Sequence, residues 1–130
     1  MLTKLFVYGS LKRGFHNPYA LQLHHQARFW SEGKLRGLLL DLGEYPALVP
    51  QSRGTQYVYG EIFELGDQVH QLLANLDYYE GFDPQNPDSG AYKRERLVVE
   101  SSYGPTLCWA YTYNSPWQEL AVVPGGNWPG

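Results

Sequence analysis

The chain is poor in the residues that announce common chemistries. It has one cysteine, Cys108, in 130 residues, which excludes an intramolecular disulfide and fits a reducing compartment. Cys108 sits inside an apolar alternation, where a small buried residue is expected rather than a nucleophile. Charged residues make up only 18%, with a formal net charge of −3. Lys12-Arg13 and Lys93-Arg94 are basic doublets and form no stripe, so no nucleic-acid partner is expected. No apolar run reaches membrane-spanning length and no signal-peptide pattern opens the chain, so a soluble cytoplasmic protein is expected, with no membrane partner. His16, His24-His25 and His70 lack partners at metal-ligand spacing. There is no Gly-x-x-x-x-Gly-Lys-Ser/Thr and no Gly-x-Gly-x-x-Gly, which leaves a nucleotide site unsupported.

What the chain does have is β-favouring aromatic residues and turn formers. Hydrophobic residues reach 43%, with eleven tyrosines and four tryptophans, and fourteen glycines and nine prolines break the chain often. A length of 130 residues fits one domain, residues 1–130. Leu5–Tyr8 reads as a first strand. Asn17 and Pro18 read as the cap and first residue of a short helix. Ala27–Leu42 is extended, with Gly33 and Gly37 as expected bulges or bends. Gly43–Pro46 marks a turn, and Tyr57–Leu65 is a further strand. Val69, Leu72, Leu73 and Leu76 form one apolar face of a helix over Asp67–Tyr79, with Asp67 as cap and Gly81 as stop. Tyr92–Glu100 and Thr106–Tyr113 read as a hairpin through Tyr103-Gly104-Pro105. Pro116–Gly130 is expected to cover a barrel. The pattern points to an α+β fold: a small, mostly antiparallel β-barrel with one or two flanking helices.

Two places could carry chemistry. A buried strand empties at Tyr8 into Gly9 and Ser10, where a backbone without a Cβ can approach a ligand and free N–H groups can face an anion. On its own this is also an ordinary turn. Glu80 follows the last turn of the strong helix. The negative end of the helix dipole, and shielding by Tyr78 and Tyr79, would raise its pKa and make it a better base. A solvated glutamate at a helix end is the other reading of the same position. Glu61 and Glu64 fall on opposite strand faces, so at least one should meet solvent. Arg94 and Arg96 share a face and pair with acids, or Arg94 holds a substrate carboxylate. Ser10 has no fixed His/Asp context, which argues against a serine hydrolase.

Val7-Tyr8-Gly9-Ser10-Leu11-Lys12-Arg13-Gly14, then Leu76-Asp77-Tyr78-Tyr79-Glu80-Gly81 and Tyr92-Lys93-Arg94, together resemble the γ-glutamylcyclotransferase-like family, nearest its AIG2-like and γ-glutamylamine cyclotransferase branches. The resemblance runs from about Lys4 to Tyr113. It implies a small barrel with a cavity at one end and a small-molecule γ-glutamyl substrate. Tyr8, Gly9, Ser10 and Leu11 would then bind the glutamyl portion through backbone amides, Glu80 would be the acid/base, and Tyr92 would line the pocket. The implied reaction closes a γ-glutamyl amide on its own α-amine, releases 5-oxoproline and an amine, and needs no metal or cofactor. Phe82–Gly90 departs from the compact loop of the family in length and in its proline and aspartate content. A domain of the same fold that binds a small metabolite without turning it over is the competing reading.

Overall fold

The computed structural model describes residues 1–129. Seven strands and two α-helices follow in the order β1 (Lys4–Val7), α1 (Pro18–Gln26), β2 (Arg28–Asp41), β3 (Pro46–Pro50), β4 (Tyr57–Glu64), α2 (Val69–Glu80), β5 (Tyr92–Ser101), β6 (Gly104–Tyr113) and β7 (Ala121–Val122). The strands run β3-β2-β4-β1-β6-β5, and a second pairing of β5 with β2 closes β2, β4, β1, β6 and β5 into a five-stranded barrel. Every pairing in this ring is antiparallel except β1 with β6, which is parallel through Leu5 and Trp109.

Strand β1 explains its own unbroken apolar run, because it is buried on both faces. Phe6 and Tyr8 point into the barrel, packed with Leu35, Val58, Ile62 and Cys108. Leu5 and Val7 point the other way, under Leu23 of α1 and Leu72 and Leu76 of α2. The apolar face expected of α2 is therefore the one that closes the outside of the barrel. The same alternation divides β6, with Cys108 and Ala110 inside and Trp109 and Tyr111 toward the helices. Burial pushes the Cys108 thiol up to about 12, so it is inert as a nucleophile near neutrality.

Several boundaries differ from the sequence expectation. Helix α2 is preceded by a 3-10 turn over Gly66–Gln68, so Gln68 rather than Asp67 is its cap residue, without a side-chain bond. It also runs one residue further, making Glu80 its last residue. The irregularity of β2 falls between Phe29 and Ser31, not at Gly33 or Gly37. Those glycines serve close packing: a Cβ on Gly33 would lie 2.8 Å from Val99 Cγ1, and one on Gly37 would lie 2.7 Å from the Val49 carbonyl. At Gly37 the partner of β2 changes from β4 to β3. The β5–β6 hairpin turns at Ser102-Tyr103, between the paired Ser101 and Gly104. The tail does lie on the barrel: β7 pairs with Leu40 and Asp41 of β2, and Val123 and Trp128 pack against the interior cluster.

Candidate active site

A cavity of ≈ 220 Å³ opens at the end of the barrel where β1 stops. Pockets for drug-sized ligands run to about 300–1,000 Å³, so this one suits a smaller group. Tyr8, Gly9, Ser10, Leu11, Glu80 and Tyr92, the six residues singled out in the sequence, all line it. Phe6, Val7, Tyr45, Pro46, Tyr79 and Tyr111 complete the wall. No lysine, arginine or histidine among the described residues lines it.

The first wall is a turn. The Gly9 carbonyl accepts from Lys12 N–H at 3.1 Å, which closes a β-turn over Gly9–Lys12. The amides of Gly9, Ser10 and Leu11 find no acceptor among the described residues, so they are available to a ligand. Gly9 is required by space and not by its φ angle: an added Cβ would lie 2.7 Å from Pro46 Cγ. Tyr8 contributes differently from the rest of the loop. Its hydroxyl donates to the Tyr111 carbonyl at 2.6 Å, and burial raises its pKa well above the usual tyrosine value. It is a neutral structural tie whose side chain forms part of the cavity wall.

The opposite wall is the end of α2. Gly81 takes φ +74°, and its N–H bonds back to the Asp77 and Tyr78 carbonyls, a left-handed stop that few residues other than glycine adopt. That stop leaves Glu80 on the cavity. Burial pushes the Glu80 carboxyl up to about 7. The shielding differs from the sequence expectation: Tyr78 is 81% exposed and takes no part, whereas Tyr79 lines the cavity, with its Oη 3.0 Å from Ser10 Oγ and its ring stacked on Tyr19. The Ser10–Tyr79 contact ties the turn and the helix end together. No protein hydrogen bond reaches the Glu80 carboxyl among the described residues, and since no fully buried side-chain oxygen among them lacks a partner, its oxygens open onto accessible space. The carboxyl is therefore free to meet a ligand from the cavity.

Tyr92, the first residue of β5, donates from its hydroxyl to the Pro46 carbonyl at 2.8 Å. Burial first, and the nearby Glu80 charge second, raise its pKa above the ordinary tyrosine value. The Phe82–Gly90 loop contributes no cavity residue. It is held instead by Asn114, whose Nδ2 donates to the Pro87 and Gly90 carbonyls.

Other candidates resolve into structural roles. Arg94 donates from Nε and Nη2 to the two Asp77 oxygens at 2.8 and 3.1 Å, and it does not line the cavity. Tyr111 donates to the same Asp77 at 2.7 Å. Neither Glu61 nor Glu64 stands free in solvent: Glu61 accepts from Arg13 N–H and Nε, and Glu64 from Thr3, Lys4 and Gly66. No group of three or more metal-ligating side chains occurs among the described residues, and no helix is long and apolar enough to cross a membrane. Sequence reasoning did not mark Tyr45, Pro46 or Tyr111 as cavity residues. Tyr45-Pro46 had turn chemistry and Tyr111 had strand alternation, and neither signal tells which end of a barrel a residue reaches.

The chain is thus an α+β barrel of five strands with a small end-on pocket walled by bare amides and an unpartnered acid. The chain belongs to the γ-glutamyl cyclotransferase, AIG2-like family, whose model matches residues 5–130. Among relatives, a Vibrio cholerae protein provisionally named a gamma-glutamylcyclotransferase is 32% identical over 124 residues, 95% of this chain and 93% of that protein. The gamma-L-glutamyl-butirosin B gamma-glutamyl cyclotransferase of Niallia circulans is 31% identical over 115 residues, 87% of this chain and 68% of that protein. The crystal structure of a mouse AIG2-like protein superposes with a TM-score of 0.71 at 28% identity, covering 95% of this chain and 87% of that one. Membership of this family supports a cyclotransferase activity in general terms.

Proposed function

We propose that this protein cleaves a γ-glutamyl amide by cyclisation, with Glu80 as general acid/base and the Gly9–Leu11 amides as the anion-binding wall. The observation that carries the reading is that one small cavity is shared by a carboxyl pushed up to about 7 and a turn of unpaired N–H groups.

A γ-glutamyl amide brings its own nucleophile. At neutral pH its α-amine is mostly an ammonium, which suits a cavity whose one acid is Glu80. The Glu80 carboxylate takes a proton from that ammonium, and the freed amine attacks the γ-carbonyl carbon. The carbonyl oxygen becomes an oxyanion, held by backbone N–H donors. When the tetrahedral centre collapses, the bond to the original amide nitrogen breaks, and protonated Glu80 gives its proton to that nitrogen. The ring nitrogen still carries two protons and loses one of them through the regenerated Glu80 carboxylate to the departing amine. The products are 5-oxoproline and an ammonium, and the proton count is unchanged. Holding the substrate curled makes the attack intramolecular, which is worth roughly 7–11 kcal/mol at its upper limit. A carboxyl that titrates near neutrality suits both halves of the proton transfer.

The test is a panel of γ-glutamyl compounds (amino acids, dipeptides, simple amines and an ε-lysine conjugate) assayed for 5-oxoproline. Wild-type protein is expected to release it from at least one, and Glu80→Gln to lose about 10²–10⁴ in kcat while keeping its circular dichroism spectrum. Equal activity of the two proteins would remove Glu80 from the mechanism. Ligand-induced stabilisation with no product from any compound would leave a binding pocket in place of an enzyme.

A further inference from the structure

Asn17 lies outside the cavity, yet it makes two bonds that together fix the turn lining it. Its Oδ1 accepts from the Ala20 amide at 2.9 Å, which caps α1. Its Nδ2 donates to the Ser10 carbonyl at 2.8 Å. One side chain thus couples the start of a helix to the central peptide of the Gly9–Lys12 turn, and each bond fixes which end of the amide is which.

The consequence follows from peptide geometry. In a trans peptide the C=O of one residue and the N–H of the next point in opposite directions. The chain has no cis peptide bonds among the described residues. With the Ser10 carbonyl drawn outward to Asn17, the Leu11 N–H is turned the other way. Leu11 lines the cavity and its N–H has no protein acceptor. The central peptide of a β-turn is the unit that rotates between turn types while the closing bond is kept, so the Gly9–Lys12 bond alone does not fix this direction. The next carbonyl is restrained as well: Leu11 O lies 2.8 Å from His24 Nε2 on α1.

We propose that Asn17 is a positioning residue for the cyclotransferase reaction: by holding the Ser10 carbonyl it aims the Leu11 N–H at the oxyanion that forms on the γ-carbonyl oxygen. This rests on the function proposed above. Asn17 touches no substrate, and its effect passes through one peptide plane.

Asn17→Asp separates this role from capping. Aspartate caps a helix as well as asparagine does, but it replaces the N–H donor to Ser10 by an oxygen that repels the carbonyl. On a compound cleaved by the wild type, Asn17→Asp is expected to lose about tenfold or more in kcat with KM within twofold and an unchanged circular dichroism spectrum. The backbone amide resonance of Leu11 in a ¹H–¹⁵N spectrum is expected to move. A variant that folds as the wild type does and keeps its kcat overturns the proposal. Were the wild type to release no 5-oxoproline from any compound, the cyclotransferase reading would fall, and the spectrum would still decide the positioning role. A Leu11 resonance that stays in place in Asn17→Asp overturns it, and one that moves upholds it. Asn17→Ala, which loses both bonds, is the reference for the loss of the cap.

Discussion

The partial burial of Glu80 raises its proton affinity, and the same burial opposes folding. Its folded pKa, about 7, lies above the ordinary value of 4.5. Below about pH 4.5 the carboxyl is protonated in both folded and unfolded chains, and burial has no electrostatic cost. As the pH rises from there toward 7, the unfolded chain ionises while the folded one resists, so stability falls across that window. Above pH 7 the loss is complete. Glu80→Gln is therefore expected to be more stable than wild type at pH 8, by about 3 kcal/mol at most, and equal to it at pH 4. Thermal unfolding at the two pH values checks this, and a variant destabilised at pH 8 would refute it. The gain in stability would accompany the loss in rate, as expected where an active-site group is held against its solvation preference.

At the scale of elements, the question is what keeps the end of α2 against the barrel. Val69, Leu72, Leu73 and Leu76 supply the apolar contact, and Asp77 supplies the direction. It is buried, and it joins α2 to Arg94 of β5 and to Tyr111 of β6. Arg94 in turn lies over the Trp109 ring, 4.4 Å from its centroid. Removing one partner of such a pair leaves a buried charge uncompensated. Arg94→Leu is expected to cost about 3–5 kcal/mol, measured by urea unfolding. Asp77→Asn, which keeps an acceptor for Tyr111, is expected to cost less. The sequence showed these elements unequally. The 3.6-residue period of α2, the Asn17-Pro18 start of α1 and the alternation of β6 were legible because each is set by neighbours a few positions away. The pairing of Asp77 with Arg94 was not, because two strands must be placed before the partner exists. The arginine therefore stood open between structural and ligand roles. Likewise Glu80 was legible as an acid at a helix end and Tyr79 as one of its shields, whereas Tyr78 points to solvent and the rest of the wall, Tyr8, Tyr45, Pro46 and Tyr92 among it, comes from distant chain.

At the scale of the whole molecule, barrel closure and the C-terminal segment act together on the turn beside the cavity. Lys12 Nζ donates to Asn127 Oδ1 and the Trp128 carbonyl at 3.0 and 2.8 Å, so the last described residues hold the Gly9–Lys12 turn from outside. The segment is seated by close contact: a Cβ on Gly126 would lie 1.8 Å from the Tyr57 carbonyl, at a φ of +68°. Gly126→Ala is expected to lift the segment off the barrel at a cost of about 2 kcal/mol. Limited proteolysis should then cut after Leu120 faster than in wild type; an unchanged cutting rate would refute it. A closed or nearly closed barrel was legible as a class, from short strands bounded by turn formers. The pairs that close it were not, since only two join β5 to β2, Gly33 with Ser101 and Lys34 with Glu100, and nothing local marks them.

Strand β1 has β4 on one side and, in parallel, β6 on the other. During synthesis, then, β1 leaves the ribosome well before β6, the strand it must pair with. Until the hairpin at Ser102-Tyr103 has emerged, β1 has an unpaired margin and the ring is open. Non-local pairing of this kind slows folding and prolongs the lifetime of sticky intermediates. A protein built this way depends on how quickly β6 follows β1.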